Sequence, residues 1–274
     1  MTTARPIDLN CDMGEIAALI DDGTQDALME HVTSVNVACG GHAGDDDTMA
    51  ATIAAALARG RAVGAHPGYP DREHFGRRAL ALHPDAVSAT VEEQVTRLRD
   101  IAARLGARVG HVKPHGALYN QAAGDPVLAL AIARGVERAF AGRTSGVVLV
   151  GLAGSRCLAA WARAGWAVAP EAFADRRYES SGALRSRALP GALLEDPEAA
   201  ADQALTIARD SAVAAYDGRR IEVGATTLCI HGDTPGAVAI AAAVARRLAA
   251  SGFAVAGPPG PPPPDAARSR PRDP

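Results

Sequence analysis

Short apolar runs alternate with longer helical patterns about seven times along this chain, and that alternation leaves few folds open to it. Strand-like runs are expected within 6–15 and at 34–39, 61–65, 109–113, 146–151, 167–169 and 226–230. Helical patterns follow them at 48–59, 84–105, 126–142, 155–164, 196–216 and 236–250, with a short one at 24–31. A strand that feeds a helix and then another strand builds a parallel sheet with crossover helices. Helix boundaries are marked where backbone groups need partners. Asp45 or Asp46 caps the helix from Thr48, Pro84 sits in a first turn, and Asp125-Pro126 and Asp196-Pro197 open two more. The run 146–151 is apolar throughout, as expected of a strand covered on both faces.

Polar residues gather at the carboxyl ends of these strands. Asp8, Asn10 and Asp12 alternate along the first strand and so share one face. His42 follows the second strand, His66 the third, and His111, Lys113 and His115 the fourth. Glu171 and Asp175 follow the sixth, and His231 and Asp233 the last. An open doubly wound sheet would gather such groups at one switch point. Clusters after at least six strands favour a closed or nearly closed parallel β/α barrel of about seven strands, where chemistry sits at that end. We expect a single barrel domain over 1–256 and a Pro-rich disordered tail over 257–274.

Composition sharpens the site. Of 28 basic residues, 27 are arginine and one is Lys113. The three asparagines are Asn10, Asn36 and Asn120. A lone lysine between His111 and His115 marks a position where a compact charge is needed and a planar fork will not serve. A net charge of −3 and the lack of a basic stripe argue against nucleic acid. No apolar run is long enough for a membrane helix, and no signal peptide is evident. The dispersed Cys11, Cys39, Cys157 and Cys229 suggest neither a zinc knuckle nor a disulfide framework, so a reduced cytoplasmic setting is expected.

Three kinds of chemistry suit these residues. Asp12, His42 and His66, from successive strands, could hold a divalent metal. The Gly40-Gly41-His42-Ala43-Gly44 turn leads into a helix N-terminus, a natural anion site. Lys113, Arg77, Arg78 and the Arg176-Arg177 pair could neutralise phosphate or carboxylate. Glu171, Asp175 and Asp233 beside histidine could supply an acid and a base. No G-x-S-x-G elbow is present, so serine nucleophile chemistry is disfavoured.

Taken in order, seven segments resemble the LamB/YcsF family. They are Asp8-Leu-Asn-Cys-Asp-Met-Gly-Glu15, Asn36-Val-Ala-Cys-Gly-Gly-His-Ala-Gly-Asp45, Gly64-Ala-His-Pro-Gly-Tyr-Pro-Asp71, Phe75-Gly-Arg-Arg78, His111-Val-Lys-Pro-His-Gly-Ala-Leu-Tyr-Asn120, Glu171-Ala-Phe-Ala-Asp-Arg-Arg-Tyr178 and His231-Gly-Asp233. Gly41, Asp46 and Ile16 depart from the family's usual residues. The resemblance implies a barrel similar to glycoside hydrolase and deacetylase barrels. It also implies the role of the A component in an ATP-dependent 5-oxoprolinase, which opens the lactam of 5-oxo-L-proline to L-glutamate with ATP (and Mg) and separate subunits B and C. In that scheme Lys113, with His111 and His115, neutralises phosphoryl charge. Glu171 or Asp175 activates water, and His231 or Asp233 protonates the departing nitrogen. Asn10, Asn36, Gly41, Asn120, Arg77, Arg78 and Arg176 would contact substrate or phosphate. The competing readings are a metal-dependent amide hydrolase or deacetylase without ATP, and a component that presents substrate to its partners.

Overall fold

A computed structural model describes residues 5–257. The expected tail lies outside the described residues beyond Gly257. Strands β1 (Arg5–Met13), β2 (Ser34–Ala38), β3 (Ala62–His66), β4 (Val109–Val112), β5 (Val148–Leu152) and β6 (Ala167–Phe173) pair in sequence order, all parallel. After a short antiparallel hairpin, β7 (Ala212–Ala214) and β8 (Arg220–Glu222), strand β9 (Thr227–His231) pairs with both β6 and β1. That double pairing closes a seven-stranded parallel barrel, as the alternation predicts. A last strand, β10 (Phe253–Val255), adds to the start of β1 outside the ring.

The helices are α1 (Ala17–Asp21), α2 (Thr24–Met29), α3 (Asp46–Ala58), α4 (Pro84–Arg104), α5 (Gly116–Gly124), α6 (Pro126–Ala139), α7 (Arg156–Arg163), α8 (Pro197–Asp210) and α9 (Ala237–Ala250). They bury small aliphatic faces on the outside of the barrel. On α4, Val87, Val91, Val95, Leu98 and Ile101 recur at three- and four-residue steps, and all are buried. Aromatics are only 4% of the chain, so this layer is closed mainly by Ala, Val, Leu and Ile. One aromatic is anchored at both ends: Trp161 is buried and its indole N–H donates to Ala129 O at 2.7 Å. Among the described residues no helix is long and apolar enough to cross a membrane.

Alternation along β1 sends Leu9, Cys11 and Met13 into the apolar core, and Asp8, Asn10 and Asp12 to the other face. Parallel register lines up neighbours on that inner face. Asn10 sits beside Cys229 and Asp12 beside both Asn36 and His231, while Asn36 is beside Gly64, which is beside His111. Gly64 is required there. A Cβ on it would lie 2.1 Å from His111 Nε2, so the missing side chain is what lets the imidazole lie across β3 toward Asn36.

Three local expectations are revised. The helix from Pro197 stops at Asp210 rather than reaching Tyr216. Ser211 takes a left-handed turn (φ 51°), and the Asp217-Gly218 pair turns the β7–β8 hairpin. Strand β6 continues through Pro170 to Phe173, which places Glu171 on the strand itself. The Gly40–Gly44 turn is not an open anion site. Asp45 caps α3, accepting from Thr48 N at 2.9 Å, and Asp46 and Asp47 fill the first turn, so carboxylates already occupy that helix end.

Replacing Gly64 by Ala is expected to destabilise the protein by about 1–3 kcal/mol through overpacking against His111. The check is the urea midpoint at unchanged slope; an unchanged midpoint would show that the interior yields at this point.

Candidate active site

The inner face carries three connected groups of side chains. The deepest is built on Lys113. Its ammonium lies 2.9 Å from Asp12 Oδ1 and 2.9 Å from Glu171 Oε1, and it is almost fully buried. Burial alone would lower the lysine's pKa, but Asp12, with Glu171, holds it well above its usual value. Burial alone would raise that of Asp12, but His66 and Lys113 hold it well below the carboxylate range. Asn10 and Asn36 tie these charges together. Asn10 Nδ2 donates to Glu171 Oε1 (2.9 Å) and Thr227 Oγ1 (2.7 Å), while Asn36 Nδ2 donates to Asn10 Oδ1 (2.7 Å) and Asp12 Oδ1 (2.8 Å). His111 Nε2 donates to Asn36 Oδ1 at 2.9 Å; burial, with the charge of Lys113, pushes its pKa down to about 4, so the ring is neutral. Below them Asp8 accepts from the hydroxyls of Thr33, Ser34 and Thr227, and burial raises its pKa to about 6. Glu171 keeps one oxygen, Oε2, buried without a partner, as is the nearby Tyr119 hydroxyl.

The second group lies at the ends of β1, β2, β3 and β4. Glu15 Oε1 is 2.9 Å from His42 Nε2, 3.0 Å from His115 Nδ1 and 3.7 Å from His66 Nε2. His42 and His115 stack with ring centroids 3.6 Å apart, and Phe75 packs edge-on against both. Burial, with His115 beside it, pushes His42 down to about 3. Of the metal set expected as Asp12, His42 and His66, the two histidines lie together and Asp12 Oδ2 is 3.3 Å from His66 Nε2. Asp12 is engaged by Lys113, and Glu15 and His115 complete the cluster with His42 and His66. A second grouping of Asp12, Cys229 and His231 surrounds the Lys113 ammonium, which already lies 3.1 Å from Cys229 Sγ.

The third group lines the mouth. Asp175 accepts from the ring Nδ1 of His231 at 3.0 Å, from its backbone N–H at 3.0 Å and from Thr234 Oγ1 at 2.6 Å. This leaves Nε2 of His231 as the free nitrogen, on a ring stacked at 14° against Phe173. Asp233 Oδ2 is held by Arg77 at 2.6 Å and by Arg187 at 2.9 Å. Arg176 lies close by, buried, with its Nε unpartnered; burial and then Arg187 lower its pKa to about 10.

Most residues expected from the sequence thus meet here. Three do not. Asn120 is on the exposed side of α5, one position past the buried Tyr119. Arg78 is half-exposed and faces Asp71 at 3.4 Å. Gly41 abuts α4, where a Cβ would collide with Gln94 at 2.4 Å, so it serves packing. Two residues were missed. Glu15 directly follows Gly14 (φ 73°) at the end of β1, the same position relative to its strand as the histidines. Arg187 comes from the irregular 174–196 segment and carries no local signal.

Fold and site together define a seven-stranded parallel β/α-barrel protein whose interior is ionised at the carboxyl ends of its strands. The LamB/YcsF family model matches residues 7–261, and the chain belongs to that family. A protein of Methylococcus capsulatus, named as the A subunit of 5-oxoprolinase, is 49% identical over 253 residues, covering 92% of this chain and 96% of that one. A protein of the same name from Chloroflexus aurantiacus is 50% identical, covering 92% and 98%. The crystal structure of a lactam utilization protein from Thermus thermophilus is 41% identical, with a TM-score of 0.83 and coverage of 92% and 99%.

Asp175 supplies a pH test. Burial alone would raise its pKa, but His231 and Thr234 pull it down to about 2. A depressed carboxylate stabilises the fold above its unfolded value of about 3.9, and that contribution fades as pH falls through the folded value. Asp175→Asn is therefore expected to cost on the order of 2–3 kcal/mol near neutral pH and little near pH 2. Urea unfolding at both pH values checks this; an equal loss at both would rule out the charged pair as its cause.

Proposed function

We propose that this chain is the A subunit of an ATP-dependent 5-oxoprolinase, working with B and C subunits to open 5-oxo-L-proline to L-glutamate. The names carried by its half-identical relatives support the substrate, and the Asp175–His231 pair is the observation that carries the chemistry. An unstrained five-membered lactam is a poor electrophile. ATP, with Mg, would supply activation by phosphorylating the amide oxygen and making ring opening favourable. The chain's own residues then have defined tasks. Asp175 accepts the Nδ1 proton of His231, which fixes the tautomer and leaves Nε2 at the mouth to take a proton from water or return one to the departing nitrogen. Glu171, whose carboxylate lies beside the Tyr119 hydroxyl, is a second base candidate deeper in the barrel.

The phosphoryl-neutralising role moves away from Lys113. Its charge is already matched by two carboxylates, so it serves as their counter-ion. Anion binding falls to Arg77 and Arg187, the two guanidinium groups that hold the carboxylate of Asp233, with Arg176 beside them. A substrate carboxylate or phosphoryl group entering there exchanges with Asp233. The same reading places the protein in the cytoplasm, where ATP is. A second reading, amide hydrolysis on a metal without nucleotide, draws on the Glu15–histidine cluster.

The test is glutamate release by the three-subunit complex with and without ATP. His231→Asn is expected to lower kcat by about 10²- to 10⁴-fold. Arg187→Ala is expected to raise KM for 5-oxoproline more than it lowers kcat. Equal rates with and without ATP would favour the second reading, and a His231→Asn variant of full activity would remove His231 from the chemistry.

A further inference from the structure

Glu15 and the three imidazoles of His42, His66 and His115 converge on one buried point. His66 Nδ1 lies 2.8 Å from the backbone carbonyl of Lys113, and His115 Nε2 lies 2.9 Å from that of Phe75. A carbonyl oxygen only accepts, so each of these nitrogens carries a proton. The opposite nitrogens, His66 Nε2 and His115 Nδ1, then face each other at 3.0 Å. In the neutral rings both present lone pairs, and His115 Nδ1 also faces a Glu15 oxygen at 3.0 Å. One extra proton, on His115 Nδ1, bridges to both His66 Nε2 and Glu15, while Asp12 Oδ2 lies 3.3 Å from His66 Nε2, so without an ion the cluster holds a buried imidazolium between two carboxylates. A second proton makes two adjacent buried imidazolium ions, with His42 stacked on one of them.

We propose that Glu15, His42, His66 and His115 form a binding site for one divalent transition-metal ion. A cation at their centre satisfies all the converging lone pairs at once. The facing ligand atoms lie 2.9, 3.0, 3.0 and 3.7 Å apart. Metal–ligand bonds of about 2.0–2.1 Å in a tetrahedron give edges of about 3.3–3.4 Å, close to these spacings, and the parallel, stacked rings of His42 and His115 must rotate apart to aim both nitrogens at the ion. Three imidazoles and one carboxylate suit zinc, cobalt or a similar ion over magnesium. The backbone carbonyls that receive the outer N–H groups of His66 and His115 hold both rings in the metal-binding tautomer. A small cleft lined by Asp12, Gly14, Glu15 and Asp233 reaches one of the ligands, Glu15. The Lys113 cluster cannot compete for the ion, because an ammonium occupies its centre.

The ligand set does not depend on which reaction the barrel performs, so the test reads binding without turnover. Chelator-treated protein is titrated with Co²⁺ while visible absorption is followed. About one equivalent per chain is expected, with the intense ligand-field bands of a four-coordinate site, and Zn²⁺ should displace it. His115→Ala and Glu15→Gln should each weaken binding by more than about tenfold, while His74→Ala, on the half-exposed loop outside the cluster, should not. If wild-type protein with a native circular dichroism spectrum takes up neither ion at micromolar concentration, the inference fails. It also fails if both cluster variants, folded, bind as the wild type does. Should the variants not fold, the wild-type titration alone decides.

Discussion

One buried ammonium organises the barrel interior. Asp12 and Glu171 come from strands that share no direct pairing, and each would be costly to bury ionised by itself. Lys113, 2.9 Å from both, makes their burial tolerable. Such a pair need not add net stability over an apolar core, but it demands one geometry, because losing either side leaves a charge unmatched. The surrounding residues meet that demand. Asn10 and Asn36 cross-link the carboxylates, His111 stays neutral to hold Asn36, and Gly64 leaves room for His111 to do so. A compact ammonium fits this cage where a guanidinium would not.

Chemistry is layered outward from that base. The Lys113 cluster is sealed, and its ammonium is matched by Asp12 and Glu171. The Glu15–histidine cluster is also buried, and its imidazole nitrogens converge on one carboxylate oxygen. The mouth holds the groups with free valence: Nε2 of His231, and Arg77 and Arg187 set against one aspartate, Asp233, with Arg176 nearby. Asp175 links the layers, since it is fully buried while the ring it orients reaches the opening. Rigid electrostatics below and exchangeable ionic contacts above suit a site that must admit an anion and orient it without rearranging the core.

How much of this was legible depends on where each signal lay. Lys113, Asn10, Asn36 and five of the histidines stood out because they occupy strand ends in a chain that otherwise spells its charge as arginine. Glu15 was visible in the same position but is one acidic residue among 31, so composition did not mark it. Arg187 lies in an irregular segment where no period indicates a direction. Asn120 misled because rarity does not give orientation: one residue along α5 turns a side chain by about 100°, which separates it from the buried Tyr119. The β7–β8 hairpin hid because 212–216 continues the apolar pattern of α8, and only Asp217-Gly218 signals the reversal.

Local periodicity and the reach of short connections are written in the order of residues, so the repeated strand–helix succession, the parallel barrel and the polar strand ends could all be read there. Pairing could not. Whether Lys113 meets a phosphate or two carboxylates, whether Asp12 or Glu15 joins the histidines, and which arginines face Asp233 are set by register and barrel closure. Those bring residues more than a hundred positions apart to within about 3 Å, as with Lys113 and Cys229. A hydrogen bond or ion pair is decided over tenths of an ångström, and only the closed barrel holds its strands to that tolerance.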